Sequence, residues 1–159
     1  PEQVVAEAAR VCPGVVVVDE AYFEFSGATA AGMVQRLSNL VVVRTLSKAF
    51  GLAGARVGYA VSGAQISGAL ARVRPPASVS SLSATLAVQA LEMAPEMRRR
   101  VAELQRWKAD LARAITELGL QVRPSATNFL LVGCPQGLGL ALERTGVVVR
   151  SFPTGSALA

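Results

Sequence analysis

Two short apolar runs, residues 15–18 (VVVV) and 40–43 (LVVV), constrain the fold more than any other feature of the sequence. Neither alternates with polar residues and both are mostly β-branched, which fits strands buried on both faces, as in a parallel sheet covered by helices. Each run also stops at residues able to do chemistry: Asp19 after the first, Arg44-Thr45 after the second. Residues 56–61 form a third, shorter candidate strand closed by Ser62-Gly63, and residues 29–38 can supply a crossover helix between the first two. Strands alternating with helices in this way specify an α/β fold.

Helical signals fill the rest. Apolar residues recur at three-to-four spacing over residues 2–11, and Pro13-Gly14 stops that helix. After Gly63 a short helix, about residues 64–72, runs into Arg74-Pro75-Pro76, which must be extended or turning because proline restricts the residue before it. Residues 81–93 form the next helix and Pro95 opens another, a first-turn position that proline tolerates. In that helix Met97, Val101, Leu104, Leu111, Ile115 and Leu118 make an apolar stripe, interrupted at Lys108 beside Trp107, and Gly119 ends it. Two further strands are expected at residues 129–132 and 147–149, with a helix over 137–145 between them. The order suggests residues 1–94 as part of a large domain and 95–159 as a small α+β domain.

With 159 residues, 52% hydrophobic and 17% charged, the chain has ample material for a core. Its net charge of +5 could suit an anionic partner. The basic residues are scattered, however, and the densest run, Arg98-Arg99-Arg100, shares its segment with Glu96, Glu103 and Asp110. Mixed signs at helical spacing describe a solvated helix face and argue against nucleic acid. Cys12 and Cys134 match no metal or redox spacing, so a reducing, cytoplasmic setting fits best. The longest uncharged stretch, residues 124–142, carries two Pro, three Gly, Asn and Gln, and so does not read as a membrane span. The sequence opens at Pro1 and enters helix at once, and is read as a piece of a longer protein.

In a parallel α/β sheet, ligands bind at the carboxyl ends of the strands. There the expected topology gathers Asp19 and Tyr22 from VVVVDEAYFEF, and Thr45, Ser47 and Lys48 from VVVRTLSKAF; Arg56 follows eight residues after Lys48. Glycines at 51, 54 and 58 permit close backbone approach in that loop. An acid, a phenol, an amine, hydroxyls and an arginine together suit pyridoxal phosphate. The carboxylate keeps the ring nitrogen protonated, the amine condenses with the aldehyde, and hydroxyls with a guanidinium fork hold the phosphate.

DEAYFEF (19–25) followed by RTLSKAFGLAGARVGY (44–59) resembles the aspartate and Schiff-base lysine motifs of fold-type-I pyridoxal-phosphate aminotransferases, in the histidinol-phosphate aminotransferase branch. SATNFLLV (125–132) and GVVVRSFP (146–153) look like small-domain segments of the same branch. The resemblance implies Lys48 as the catalytic lysine and proton shuttle, Asp19 on the pyridinium nitrogen and Tyr22 on the ring oxygen. It implies Thr45, Ser47 and Arg56 on the cofactor phosphate. It further implies a cytoplasmic homodimer that moves an amino group from histidinol phosphate, or an aromatic amino acid, to 2-oxoglutarate. In that family a phosphate-binding glycine segment, a ring-stacking aromatic and an NPTG-type turn precede these motifs, and an LRxT-type segment follows them; this sequence holds none of the four. It also has Ala77-Ser78 where the branch usually carries a tyrosine and a polar residue.

Each residue also has a plainer reading. Lys48 could be a solvated loop lysine, Asp19 a turn cap, Thr45 and Ser47 turn hydroxyls, and Arg56 a structural ion-pair partner. Asn128 is as readily a turn residue as a substrate contact, and Arg150 as readily a surface arginine as an anion ligand. Glu20 and Glu24 read as structural. Three alternatives to transamination stand beside these assignments: a decarboxylase of a phosphorylated amino acid in the same fold, a serine-type acyl enzyme, and a non-catalytic fragment. The acyl enzyme is poorly served, since Thr45 occupies the nucleophile position of T-L-S-K and no S-D-N or K-T-G partner occurs. The glycines likewise make neither G-x-G-x-x-G nor a P-loop.

Overall fold

The computed structural model describes residues 2–152, and Pro153, the last residue of the second tail segment, lies outside them. The chain divides into two compact units, Pro1–Leu104 and Gln105–Ala159. The division falls within helix α5 (Ala94–Glu117).

The first unit is built on a three-stranded sheet ordered β1 (Val16–Asp19), β2 (Leu40–Thr45), β3 (Gly58–Ser62). β1 and β2 are parallel, with Val16 opposite Leu40 and Asp19 opposite Val43. β3 returns antiparallel to β2, so the described sheet is mixed. β2 is buried over Leu40, Val41 and Val42 and half-buried at Val43. Leu40 and Val42 are fully buried, whereas Val17 on β1 is 59% exposed, because β1 is the outer strand of the described sheet. Ala30 and Met33 complete the core with Leu40 and Val42, and Val5, Val16, Val18 and Leu37 pack on it.

No crossover α-helix forms over 29–38. The chain instead makes a single turn of helix, α2 (Phe23–Ser26), and a 3-10 turn at Ala31–Met33. Glu20 accounts for the difference: its carboxylate accepts the Ala30 amide at 2.6 Å and the Thr29 hydroxyl at 2.9 Å, side-chain bonds that compete with helical pairing. At the other end of the sheet the Asn39 amide donates to three carbonyls, Ala9 at 2.9 Å, Cys12 at 3.3 Å and Gly14 at 3.0 Å. That one side chain ties the end of α1 (Glu2–Val11) and the entry to β1 onto the start of β2.

α3 (Ala64–Val73) and α4 (Ser81–Glu92) follow near the expected bounds. The Ser80 hydroxyl caps α4 by accepting the Ser83 amide at 3.0 Å. On α5 the Arg98-Arg99-Arg100 run is partly paired at the surface, Arg99 and Arg100 both reaching Glu96 at 2.8 and 2.9 Å. The apolar stripe of α5 is covered unevenly, with Met97 buried but Leu111 55% and Leu118 79% exposed.

In the second unit a two-stranded antiparallel sheet pairs β4 (Gln121–Arg123) with β5 (Leu131–Gly133). The strand expected at 147–149 is absent. α6 (Leu138–Arg144) ends in a left-handed Gly146, φ 85°, whose amide bonds Glu143 O while the Val147 amide bonds Leu142 O, a Schellman cap. The residues that follow leave the cap without entering a ladder.

Three outcomes follow from this geometry. A Cβ on Gly58 would lie 2.7 Å from the Arg44 carbonyl oxygen, so Gly58→Ala should lower unfolding free energy by about 1–3 kcal/mol in urea titrations. Ala77 is held at φ 53°, so Ala77→Gly should raise stability by about 0.5–1 kcal/mol in the same titrations. Hydrogen bonds from Arg99 and then Arg100 hold the Glu96 carboxyl down at about 2. With the folded value below the unfolded one, this contribution is present above the ordinary carboxylate range and lost as pH falls from there through about 2. Carboxyl NMR titration should find that value, and Arg99→Gln should move it back up.

Candidate active site

Parallel pairing sets the site edge. Asp19 closes β1 opposite Val43, and β2 runs two residues further to Thr45, so both strands deliver polar residues at their carboxyl ends. The Asp19 carboxylate accepts the Ala21 amide at 2.9 Å, an Asx turn that bends the chain out of the sheet and into α2 with Tyr22 at its N-cap. The Tyr22 ring lies 6.2 Å from that of Phe25, centroid to centroid, and the Lys48 ammonium stands 5.4 Å from the Tyr22 ring centroid. Asp19, Tyr22 and Lys48, from two separate motifs, therefore meet at one edge.

Beyond β2 the chain turns around one buried side chain. Leu46 is 2% exposed; its amide donates to Val57 O and its carbonyl accepts the Leu52 amide. Thr45 and Ser47 flank this anchor, their hydroxyls 2.9 Å apart, with the Ser47 amide on Thr45 Oγ1 at 3.1 Å. The Gly51 amide bonds the Lys48 carbonyl and Gly51 takes φ 69°, a left-handed position that closes the loop after the lysine.

Arg56 sits at the far end of that loop, outside β3, in the left-handed region at φ 55°. It is exposed, and one of its guanidinium nitrogens donates to Ala53 O at 3.2 Å, within its own turn. Four of the five guanidinium N–H donors remain for another acceptor. A non-glycine residue in this conformation carries strain of the kind found at ligand-binding turns.

Asn128 and Arg150 both belong to the second unit. Asn128 is exposed in a loop fastened by Lys108, whose ammonium donates to the carbonyls of Ser125 and Thr127. Burial pushes the Lys108 ammonium down. The Arg150 guanidinium lies 5.2 Å from the Phe152 ring centroid.

Two residues that flank the site went unremarked in the sequence as partners, Glu20 and Arg44. Glu20 is buried, and its carboxylate receives Arg44 Nε at 2.9 Å in addition to Thr29 and Ala30. The Arg44 guanidinium also donates to the Thr29 hydroxyl at 2.8 Å and stacks 3.5 Å over the Phe23 ring. Burial disfavours the Arg44 charge, but hydrogen bonds with Tyr59 and Glu20 outweigh it and raise the pKa. Their position, one residue from Asp19 and one from Thr45, was the available signal. Among the described residues no group of three His, Cys, Asp or Glu could hold a metal ion, and no helix is long and apolar enough to cross a membrane.

A carboxylate, a phenol, a primary amine and a pair of hydroxyls on one sheet edge can bind a polar aromatic ring and an anionic group while presenting a nucleophile. Comparison with known proteins agrees with that chemistry. The histidinol-phosphate aminotransferase of Thermoanaerobacter pseudethanolicus is 44% identical over 146 residues, covering 87% of this chain and 40% of the relative. The aromatic amino acid aminotransferase of Corynebacterium efficiens is 39% identical over 162 residues, 98% of this chain and 46% of the relative. The crystal structure of histidinol-phosphate aminotransferase from Sinorhizobium meliloti in complex with pyridoxal-5'-phosphate superposes with a TM-score of 0.85 at 26% identity, over 99% of this chain and 46% of that one. The chain thus spans less than half the length of these relatives. The profile of aminotransferase class I and II matches residues 2–154, and the chain belongs to that family.

Proposed function

We propose that this chain is part of a pyridoxal-phosphate-dependent aminotransferase that takes its amino group from histidinol phosphate and passes it to 2-oxoglutarate. The observation that carries the reading is the meeting of Lys48 with Tyr22, 5.4 Å from ammonium to ring centroid, at the sheet edge where Asp19 ends β1. Similarity to histidinol-phosphate aminotransferases at 44% identity supports the substrate. The aromatic amino acid aminotransferase at 39% identity supports an aromatic amino acid as the second donor.

The donor set fits the cofactor group by group. The chemistry supplied by bound pyridoxal phosphate is an aldehyde that takes up the amino group and a ring that withdraws electrons from the substrate α-carbon. Asp19 would hold a proton on the ring nitrogen, and the Tyr22 hydroxyl would donate to the ring oxygen. The Thr45 and Ser47 hydroxyls, already turned together, would hold the phosphate with the guanidinium of Arg56. Lys48 Nζ would attach to the aldehyde and, as the free amine, carry the proton taken from the substrate α-carbon. Asn128 and Arg150 are assigned to the substrate, Arg150 to an anionic group. A cytoplasmic homodimer, each site completed by the neighbouring copy, is the assembly that goes with this reading.

The chain holds two lysines, Lys48 and Lys108, and the ammonium of Lys108 is engaged by two backbone carbonyls. Borohydride reduction after adding pyridoxal phosphate, followed by peptide mapping, should therefore label Lys48, and Lys48→Arg should remove the label. Equal labelling of both lysines, or none, would overturn the assignment.

A further inference from the structure

We propose that Glu20 and Arg44 are positioning residues: their ion pair locks the register and face of the strand ends that present Asp19 and Thr45, and so aligns the site before any ligand arrives. The inference rests on the cofactor reading above for what the site is used for, but its geometry stands apart from it.

The last parallel pair of the ladder is Asp19 with Val43, and the last backbone link is the Glu20 amide on Val43 O at 2.9 Å. Beyond that point β1 turns away into α2 and no further backbone hydrogen bond joins it to β2. The side chains take over. Glu20 Oε2 receives Arg44 Nε and the Thr29 hydroxyl, each at 2.9 Å, and Oε1 receives the Ala30 amide at 2.6 Å. Thr29 in turn receives the Arg44 guanidinium, closing a triangle of three side chains, and Phe23 covers its face. The Glu20 side chain is 5% exposed and that of Arg44 14%.

A buried ion pair is weak evidence of stability, since a well-packed apolar pair would serve as well, but it specifies one arrangement where partners must meet in fixed geometry. Here the arrangement has a consequence at the adjoining residues. Successive strand residues point to opposite faces, so drawing Glu20 and Arg44 to one side sends Asp19 and Thr45 to the other, together. A slip of one residue in either strand would bury a site residue and expose a charge. The near-uniform runs VVVV and LVVV set that register only weakly by themselves, because a one-residue shift still pairs valine with valine at most positions. The Glu20–Arg44 pair supplies the asymmetry.

The test uses the full chain with Glu20→Gln, Thr29→Val and the double variant, and follows amide exchange at both ends of the ladder. The site end is the amide of residue 20 on Val43 O; the far end is the Val16 amide on Asn39 O. Glu20→Gln should speed exchange at the site end about tenfold and leave Val16 unchanged, with a smaller effect from Thr29→Val. Half-saturation of Lys48 by pyridoxal phosphate, read by borohydride trapping well below the thermal midpoint, should rise by a similar factor. Equal loosening at both ends, an unchanged site end, or unchanged half-saturation in a folded variant would overturn the proposal. If Glu20→Gln does not fold, Arg44→Lys, which keeps a cation but loses the guanidinium's joint contact with Glu20 and Thr29, decides the same comparison. If the unaltered chain traps no cofactor at Lys48, the cofactor reading fails, and the exchange pattern still decides the lock.

Discussion

The parallel pairing of β1 with β2 is the constraint on which the first unit depends. Four register pairs carry it, from Val16 opposite Leu40 to Asp19 opposite Val43, and the core of Ala30, Met33, Leu40 and Val42 packs beside it. Because the strands point the same way, their polar termini arrive at the same edge. Antiparallel pairing would have put Asp19 and Thr45 at opposite ends of the sheet and left no site. The chain reverses only afterwards, at β3, where Gly58 lets the returning strand approach the Arg44 carbonyl closely.

Burial and exposure divide the work along these strand ends. Lys48, Asp19 and Arg56 are exposed, as groups that meet a ligand must be, while Glu20 and Leu46 are buried beside them and hold the backbone. Leu46 anchors by apolar contact and two backbone hydrogen bonds, Glu20 by charge and three hydrogen-bond donors.

Much of this was legible in the sequence because the signals were local. The β-branched runs marked β1 and β2, three-to-four spacing marked α1 and α5, and Pro95 stands in the first turn of α5. The juxtaposition of Tyr22 with Lys48 followed from strand order. What escaped notice was non-local. The segment 29–38 has helical composition, but Glu20, ten residues upstream of Ala30, captures its first amide. Residues 147–149 have the composition of a strand, yet they leave the Schellman cap at Gly146 without entering a ladder. β1 reads as doubly buried because four valines look alike; the neighbours of β1, not its residues, decide that Val17 is exposed.

The Asn39 amide carries a chemical liability. Its single NH2 group serves three carbonyls, from Ala9, Cys12 and Gly14, that gather around it at the start of β2. Loss of ammonia from that side chain would turn a donor into a carboxylate facing three acceptors, with no proton left to satisfy any of them. The end of α1 and the entry to β1 would be released together. Deamidation at one position, a change of one mass unit, would thus age the molecule from the edge of the sheet opposite to its chemistry.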